Sequence, residues 1–460
     1  MKNTSLFTTL LLLSGAAVSF GAHAGQANAT CSYSHTLGDD AIMMFGKPGK
    51  AMWHDFFGNT HTDAFSSYAT LRAQPDTTCD NLADASAYWV PSLRLPNGEV
   101  VKPAYQKTYY QSADDATNPM KPFPPGLELL AGDHHGTGPS NHIDFFCQDG
   151  NGYSNKAGEV CHVRNKGDAV QFNVGIRFPN CWDGVNLKPV HGKMNAAYSV
   201  NNTCPADFPV KIPTVNLNAV WVLPQITSLD TAKVLFSMDP IMHGDQREDQ
   251  WGSVYTAHAD FMNGWTEDGA RFMTDLCMNN GMDCGGNVPW GYSTPSDDTW
   301  VSSEAPTENH GRESSVVLKD GSTMALVKFK IPPLPQKMPA EQLANFKYSI
   351  RTFGGKDESG ASRIYFYMTD SDNWQQDTAT WNNRPGKAKN AFANLYLDEV
   401  RQYRYVDVND AVRQALAEGK SELSFYISGD GYGHTFRFNS SESKENMVLM
   451  LTGHVKVPEV

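Results

Sequence analysis

The chain has 460 residues, with 37 Lys and Arg against 50 Asp and Glu and a net charge of −13. That length makes two domains the natural expectation, and the acidity argues against a nucleic-acid partner. Hydrophobic residues make up 40% and aromatic residues 11%, enough for a sizeable core, and 38 Gly with 26 Pro suggest short strands joined by turns.

Residues 1–24 read as an export signal, with Lys2, an apolar run at 6–13 and a small-x-small AHA at 22–24. The run is too short to span a bilayer and no other approaches that length, so no membrane span is expected. The expected location is secreted or periplasmic. Eight cysteines follow, Cys31, Cys79, Cys147, Cys161, Cys181, Cys204, Cys277 and Cys284. An even count in an exported chain reads as disulfides. Cys147/Cys161, Cys181/Cys204 and Cys277/Cys284 are close enough to pair locally, but the sequence leaves the pairing open. All eight precede residue 285, and the acidity sits there too: 28 acidic against 18 basic residues over 1–296, then 22 against 19 over 297–460. The expected division is a lead-in at 25–41, a first domain at 42–290, a linker at 291–296 and a second domain at 297–460.

Residues 25–40 are polar and read as an exposed lead-in pinned by Cys31. His54 and Asp55 then form a polar pair among Trp53, Phe56 and Phe57, and burial would oblige them to find partners. Tyr68 and Leu71 suggest a short helix within 60–71. Residues 86–93 form a strand pattern interrupted by Pro91, hence an edge strand or a strand end. Asn97 and Gly98 signal a hairpin. Further strands are expected at 106–110, 126–131, 170–178 and 216–223, with Trp182 and Asp183 in a turn. Residues 266–277 read as a helix with Thr266 as N-cap and Glu267 and Asp268 in its first turn.

Several blocks in this half resemble the secreted proteins grouped as domain-of-unknown-function family 1996. They are KPG at 47–49, HDFFGN at 54–59, TC at 78–79, AYWVP at 87–91, PGL at 125–127, GD at 132–133, FPNCWDG at 178–184, CP at 204–205 with Pro209, and HADFMNGW at 258–265. The resemblance implies an extracellular, disulfide-bonded domain and no particular reaction. Many members read His-x-His where this chain has Met52, Trp53 and His54, so only the second histidine is present.

From residue 297 the text changes to repeated short strands and turns, as in a jelly-roll-like β-sandwich. Residues 325–331 alternate, which places Lys328 and Lys330 on the wet face. Residues 406–416 switch to helical spacing. DTWV at 298–301, LVKFKI at 326–331, NW at 373–374, TWNNRP at 380–385, DVNDAV at 407–412, and Phe438 with Ser441 and Glu442 resemble carbohydrate-binding module family 96. That resemblance implies a sandwich appended to a secreted protein, with acidic polysaccharide among the ligands of its class.

The fold expected is therefore mainly β, an irregular disulfide-bonded first domain with few helices followed by a sandwich. Its candidate catalytic set is His54, His191, His258 and Asp260, with Asp183, His142 and Asp144 behind. The His-x-Asp spacing puts His258 and Asp260 on one face of an extended segment. Imidazole with carboxylate can hold a divalent metal or act as base and orienting acid; the alternative is a hydrogen-bonded core cluster. Trp182, Asp183 and Trp381 are the substrate-binding candidates, and Arg351, Arg401, Arg404, Lys328 and Lys330 could meet an acidic glycan. Asp245, Glu248 and Asp249 could serve glycoside hydrolysis but read better as a solvated acidic loop. Asp297 with Asp298 and Asp370 with Asp372 are possible Ca²⁺ turns. No G-x-S-x-G elbow or H-E-x-x-H motif is present. The expected function is a polysaccharide-associated protein acting as a carbohydrate-active enzyme; the alternative is a non-catalytic glycan-binding wall or matrix protein.

Overall fold

The computed structural model describes residues 25–112, 119–163, 168–190 and 192–457; the export-signal segment and His191 lie outside them. Strands that organise the first half are β1 (Gln26–Leu37), β2 (His54–Gly58), β3 (Ala87–Pro91), β4 (Tyr105–Gln111), β5 (Glu128–Gly132), β6 (Ile143–Cys147), β7 (Val170–Arg177), β8 (Thr214–Leu223), β9 (Leu235–His243), β10 (Gln246–Ser253) and β11 (His258–Met262). Nine of them form one sheet in the order β5-β11-β3-β2-β1-β4-β8-β7-β6. All neighbours along it are antiparallel, and a short strand, β12 (Asp283–Gly285), joins β1 in parallel. Alternation drives the assembly: Phe172, Val174 and Ile176 on β7 and Val215, Leu217, Ala219 and Trp221 on β8 are buried on one face. The sheet curls around that core until its ends approach, with the Phe178 ring 6.3 Å from Phe261 on β11. β9 and β10 form a separate hairpin against Leu93 and Arg94.

Two expectations change here, and a third is settled between its alternatives. The segment read as an exposed lead-in is β1, whose Ala27, Ala29 and Cys31 are buried. Small residues alternating with polar ones carry little hydrophobic signal, yet they allow the close packing of a central strand. Of the two readings of Pro91, the strand end holds: the strand at 87–91 is interior to the sheet and Pro91 is its last residue, where a missing N–H is tolerated. Residues 291–296 are not a free connector, because Gly291–Ser293 pairs with Leu449, Met450 and Leu451 of the second half.

The four disulfides are Cys31–Cys79, Cys147–Cys161, Cys181–Cys204 and Cys277–Cys284. Helices are few. Ser67 caps Tyr68–Ala73. Thr266 Oγ1 accepts from the Gly269 amide at 2.9 Å, starting Glu267–Arg271, which widens into a π-helical turn over Phe272–Cys277. No described helix is long and apolar enough to cross a membrane.

The second half is a sandwich of two antiparallel sheets around Phe329, Phe425, Tyr348, Phe436 and Leu449. One sheet is built on Phe346–Lys356 and Val448–Gly453, the other on Thr323–Lys330 and Glu422–Ser428. The helical spacing near 406 resolves into the strand Gln402–Asp407 and then the helix Asn409–Ala417. Lys328 does point to the outer face of its sheet, but that face is covered by a segment carrying Trp374, Ala379 and Trp381. Lys328 is therefore buried, donating to the Trp374 carbonyl and paired with Asp297 at 3.0 Å, while Lys330 stays exposed.

Candidate functional site

The register across β2, β3, β11 and β5 sets the site. His54 pairs with Pro91, and Asp260 with Trp89; Phe56 also pairs with Trp89, and His258 pairs with Gly132. Because paired residues share a face and alternate residues repeat it, His54, Phe56, Trp89, His258, Asp260 and Glu128 all lie on one side. That side faces away from the main core and is roofed by residues 38–53. Asp39 fastens the roof: its Oδ1 accepts from the Gly49 amide at 2.7 Å and its Oδ2 from the Ala64 amide at 3.1 Å. Asp55, one residue on, points the opposite way, accepting from Thr36 Oγ1 at 2.6 Å and Ser92 Oγ at 3.0 Å.

The His54 and His258 rings meet edge to face with centroids 5.9 Å apart. Ligand-capable atoms of His54, His258 and Asp260 lie within 4.8 Å of one another. His54 Nδ1 is 2.9 Å from the Asp39 carbonyl and His258 Nδ1 is 2.9 Å from the Thr256 carbonyl. A carbonyl only accepts, so both rings carry their proton on Nδ1 and turn a lone pair outward at Nε2. Gly132 makes the approach possible. Its φ is +90°, and a Cβ there would sit 2.6 Å from the Ala257 carbonyl oxygen and 2.7 Å from His258 Cα.

Burial dominates the electrostatics. It lowers His54 to about 4, against the pull of the Asp39 carbonyl. It lowers His258 to about 4 as well, with the neighbouring His54 adding to the shift. Asp260 is pushed well above the usual carboxylate range by burial and then by the charge of Asp40. Glu128 rises to about 7 for the same first reason, partly offset by Lys188. The site is thus a sunken group of neutral imidazoles and crowded carboxyls.

Sequence reasoning brought together three of its four catalytic candidates, and His191 lies outside the described residues. His142 stacks on Tyr198 at 3.5 Å and lines its own groove of about 370 Å³ with Arg177 and Asn180. Trp182, expected in a turn, ends the short strand Cys181–Trp182, paired with Ala196 and Val210; the loop that follows from Asp183 borders the site, since Leu187 O accepts from the Glu128 amide at 2.7 Å. Asp183 is spent on that loop, accepting from the Val185 and Asn186 amides at 2.8 Å and from Asn186 Nδ2 at 2.6 Å. Asp40, Glu128 and His134 were not anticipated; the His134 and His258 ring centroids are 6.0 Å apart. The GD block just before His134 was the available signal.

In the sandwich, Trp381 is half-buried against Tyr367 and Trp374, with Arg384 over its ring at 3.7 Å. Arg351 is buried, its guanidinium 4.6 Å from both the Phe272 and Tyr403 rings, so it is no glycan contact. Arg404 pairs with Asp398 and Arg401 donates to Asn439. The acidic turns are likewise engaged: Asp297 with Lys328, Asp298 with Ser441, Asp370 with the Gly386 amide and Asp372 with Lys420. Asp249 pairs with Arg247 and Glu248 with His243 on an exposed hairpin. On the outer side of the Thr323–Lys330 sheet, Arg363 sits 4.3 Å from the exposed Tyr396 ring, while Lys387 lies 3.5 Å from Tyr367, which packs against the covering segment with Trp374 and Trp381.

Residues 40–265 match the family described as domain of unknown function DUF1996, and residues 289–453 match carbohydrate-binding module family 96. No curated protein matches the chain.

Proposed function

From the carbohydrate-binding match of the sandwich, we propose that this chain is an exported, polysaccharide-active enzyme held on an acidic glycan by its second half. The reaction belongs to the first half, at His54, His258 and Asp260. One observation carries the reading: these three groups converge beneath a roof, although burying such groups is costly. His258 is half-buried, where His54 and Asp260 are almost fully enclosed, so it is the least covered of the three. Its lone pair at Nε2 suits a general base, and Asp260 on the same strand suits a proton donor while it stays protonated. The exposed pair of Arg363 with Tyr396 suits an anionic sugar chain, giving charge beside an aromatic ring. Tethering raises the local concentration of glycan at the first half without new chemistry.

The test is product release from a panel of acidic and neutral polysaccharides by the full chain. Release that His258→Ala lowers at least about a hundredfold is expected, in the range for loss of general acid–base catalysis. Retained binding with no release on any glycan would instead make the chain a non-catalytic glycan-binding protein.

A further inference from the structure

We propose that His54, His258 and Asp260 bind one divalent transition-metal ion, through the two Nε2 atoms and one Asp260 oxygen. The inference rests on the cluster of the reading above and names an ion for it; a bound ion takes up the His258 lone pair and the Asp260 oxygen that serve there as base and acid, and the inference stands or falls without turnover.

The argument begins with a missing donor. Both imidazoles spend their Nδ1 protons on backbone carbonyls, so what they offer one another is a lone pair. His54 Nε2 is buried without a hydrogen-bond partner. His54 and Asp260 are 1% and 3% exposed, and no described residue donates a hydrogen bond to the Asp260 carboxylate. Three acceptors thus converge within 4.8 Å with no proton donor among them. A proton on Asp260 would satisfy one contact and leave another lone pair facing its neighbour. A cation at the centre satisfies all three. Asp40 in the roof, whose Oδ1 accepts from the Ile42 and Met43 amides, is near enough to act on Asp260 and Glu128 by its charge.

The donor set selects the ion. Two imidazoles with one carboxylate suit Zn²⁺ or a neighbour in the first transition row, whereas Ca²⁺ and Mg²⁺ require oxygen shells. A tetrahedral set with bonds of about 2.0–2.1 Å has edges of roughly 3.3 Å, so small side-chain rotations close the cluster on an ion. Strand β3 between β2 and β11 fixes the imidazole spacing, and the carbonyl bonds fix both ring orientations. Three protein ligands leave a position open for water or substrate. A groove of about 690 Å³ lined by Met44, Lys47, Lys50, Asp239 and Met242 lies close by, and Asp239 acts electrostatically on His54. Among the described residues the other grouping of this kind, Cys31, Cys79 and Asp84, offers no such site because its two sulfurs are joined in a disulfide.

The experiment titrates the chelator-treated, dialysed full chain with Zn²⁺ by calorimetry, with Ca²⁺ and Mg²⁺ as comparisons. One Zn²⁺ per chain is expected, with Ca²⁺ and Mg²⁺ silent. His258→Ala and Asp260→Asn, shown to be folded by circular dichroism, should each weaken Zn²⁺ binding by about a hundredfold or more. Should a variant fail to fold, the wild-type ¹⁵N histidine spectrum decides, since two Nε2 resonances must shift on adding Zn²⁺ while their Nδ1 protons remain. No stoichiometric binding, binding unchanged in both folded variants, or a spectrum without those shifts would overturn the site. Zn²⁺ bound at these residues without product from any glycan removes the enzyme reading and leaves the metal site. Product release with no Zn²⁺ bound and no effect of chelator does the reverse.

Discussion

His54 and Asp55 adjoin in sequence yet serve opposite sides of one sheet. The alternation of a strand separates them, so His54 joins a polar cluster under the roof while Asp55 is held by Thr36 and Ser92 in the core. Another buried acid gives a pH signature free of the candidate site. Asp84 is fully buried, accepting from Tyr88 Oη at 2.6 Å and from the Ser86 amide at 3.0 Å. Burial raises its carboxyl from 3.8 to about 6 in the fold. A raised carboxyl is favoured in its protonated form by the folded state. The resulting stability is fully present below the unfolded value near 3.8 and is lost as pH rises through about 6. At about 1.4 kcal/mol per unit the loss is on the order of 3 kcal/mol. Urea midpoints should therefore fall between pH 4 and pH 7, and Asp84→Asn, which keeps an acceptor for Tyr88, should flatten that slope; an equally steep slope in the variant would rule out Asp84 as its source. At this scale the sequence was informative where chemistry and spacing coincide, as in His258 and Asp260. It was silent on Asp40, Glu128 and His134, which reach the site only through strand register and chain reversal.

Strand register is a property of elements, and β5 and β11 show what holds it. Gly132 on β5 lies directly against His258, at a φ that disfavours any side chain. Gly132→Ala brings a methyl against backbone atoms that cannot rotate away, so β5 must shift or unpair. A cost of about 2 kcal/mol or more is expected from the strained backbone, read as a lower urea midpoint, together with weaker Zn²⁺ binding as His258 moves. An unchanged midpoint would mean that the two strands separate at no cost. Elements were legible where large apolar residues alternate, as in β7 and β8. β1 escaped because its inward residues are Ala27, Ala29 and Cys31, and what fixes it is pairing with β2 and β4. Lys328 misled for a related reason. Its alternation was read correctly, but nothing in a strand reveals that a later segment around Trp374 will cover its outer face.

Over the whole molecule, the two halves share apolar surface as well as a chain. Leu82 of the first half packs in the second core, and its amide donates to the Gly453 carbonyl at 2.9 Å. The Val455 amide returns a 2.9 Å bond to the Asp80 carbonyl, and Trp290 packs against both cores. Phe272, Cys277 and Cys284 meet Val448 and Met450 across the seam. The Phe272 and Tyr403 rings both lie 4.6 Å from the buried Arg351 guanidinium. A guanidinium so enclosed is tolerable while both rings remain, through cation–π attraction and exclusion of competing water. The cysteine break near residue 285 marks where the composition changes, but it could not show that the parts are joined by buried packing. Such a seam couples their unfolding, so calorimetry of the intact chain should show one transition. Phe272→Ala removes a large buried ring and opens a cavity beside the charge of Arg351, for an expected cost of about 3–5 kcal/mol. Because the ring belongs to the seam, the loss should also uncouple the halves, and the variant should melt in two steps with the first below the wild-type temperature. Two transitions already present in the wild type, or a single unshifted transition in Phe272→Ala, would show that the halves are stabilised independently and that the seam only lies between them.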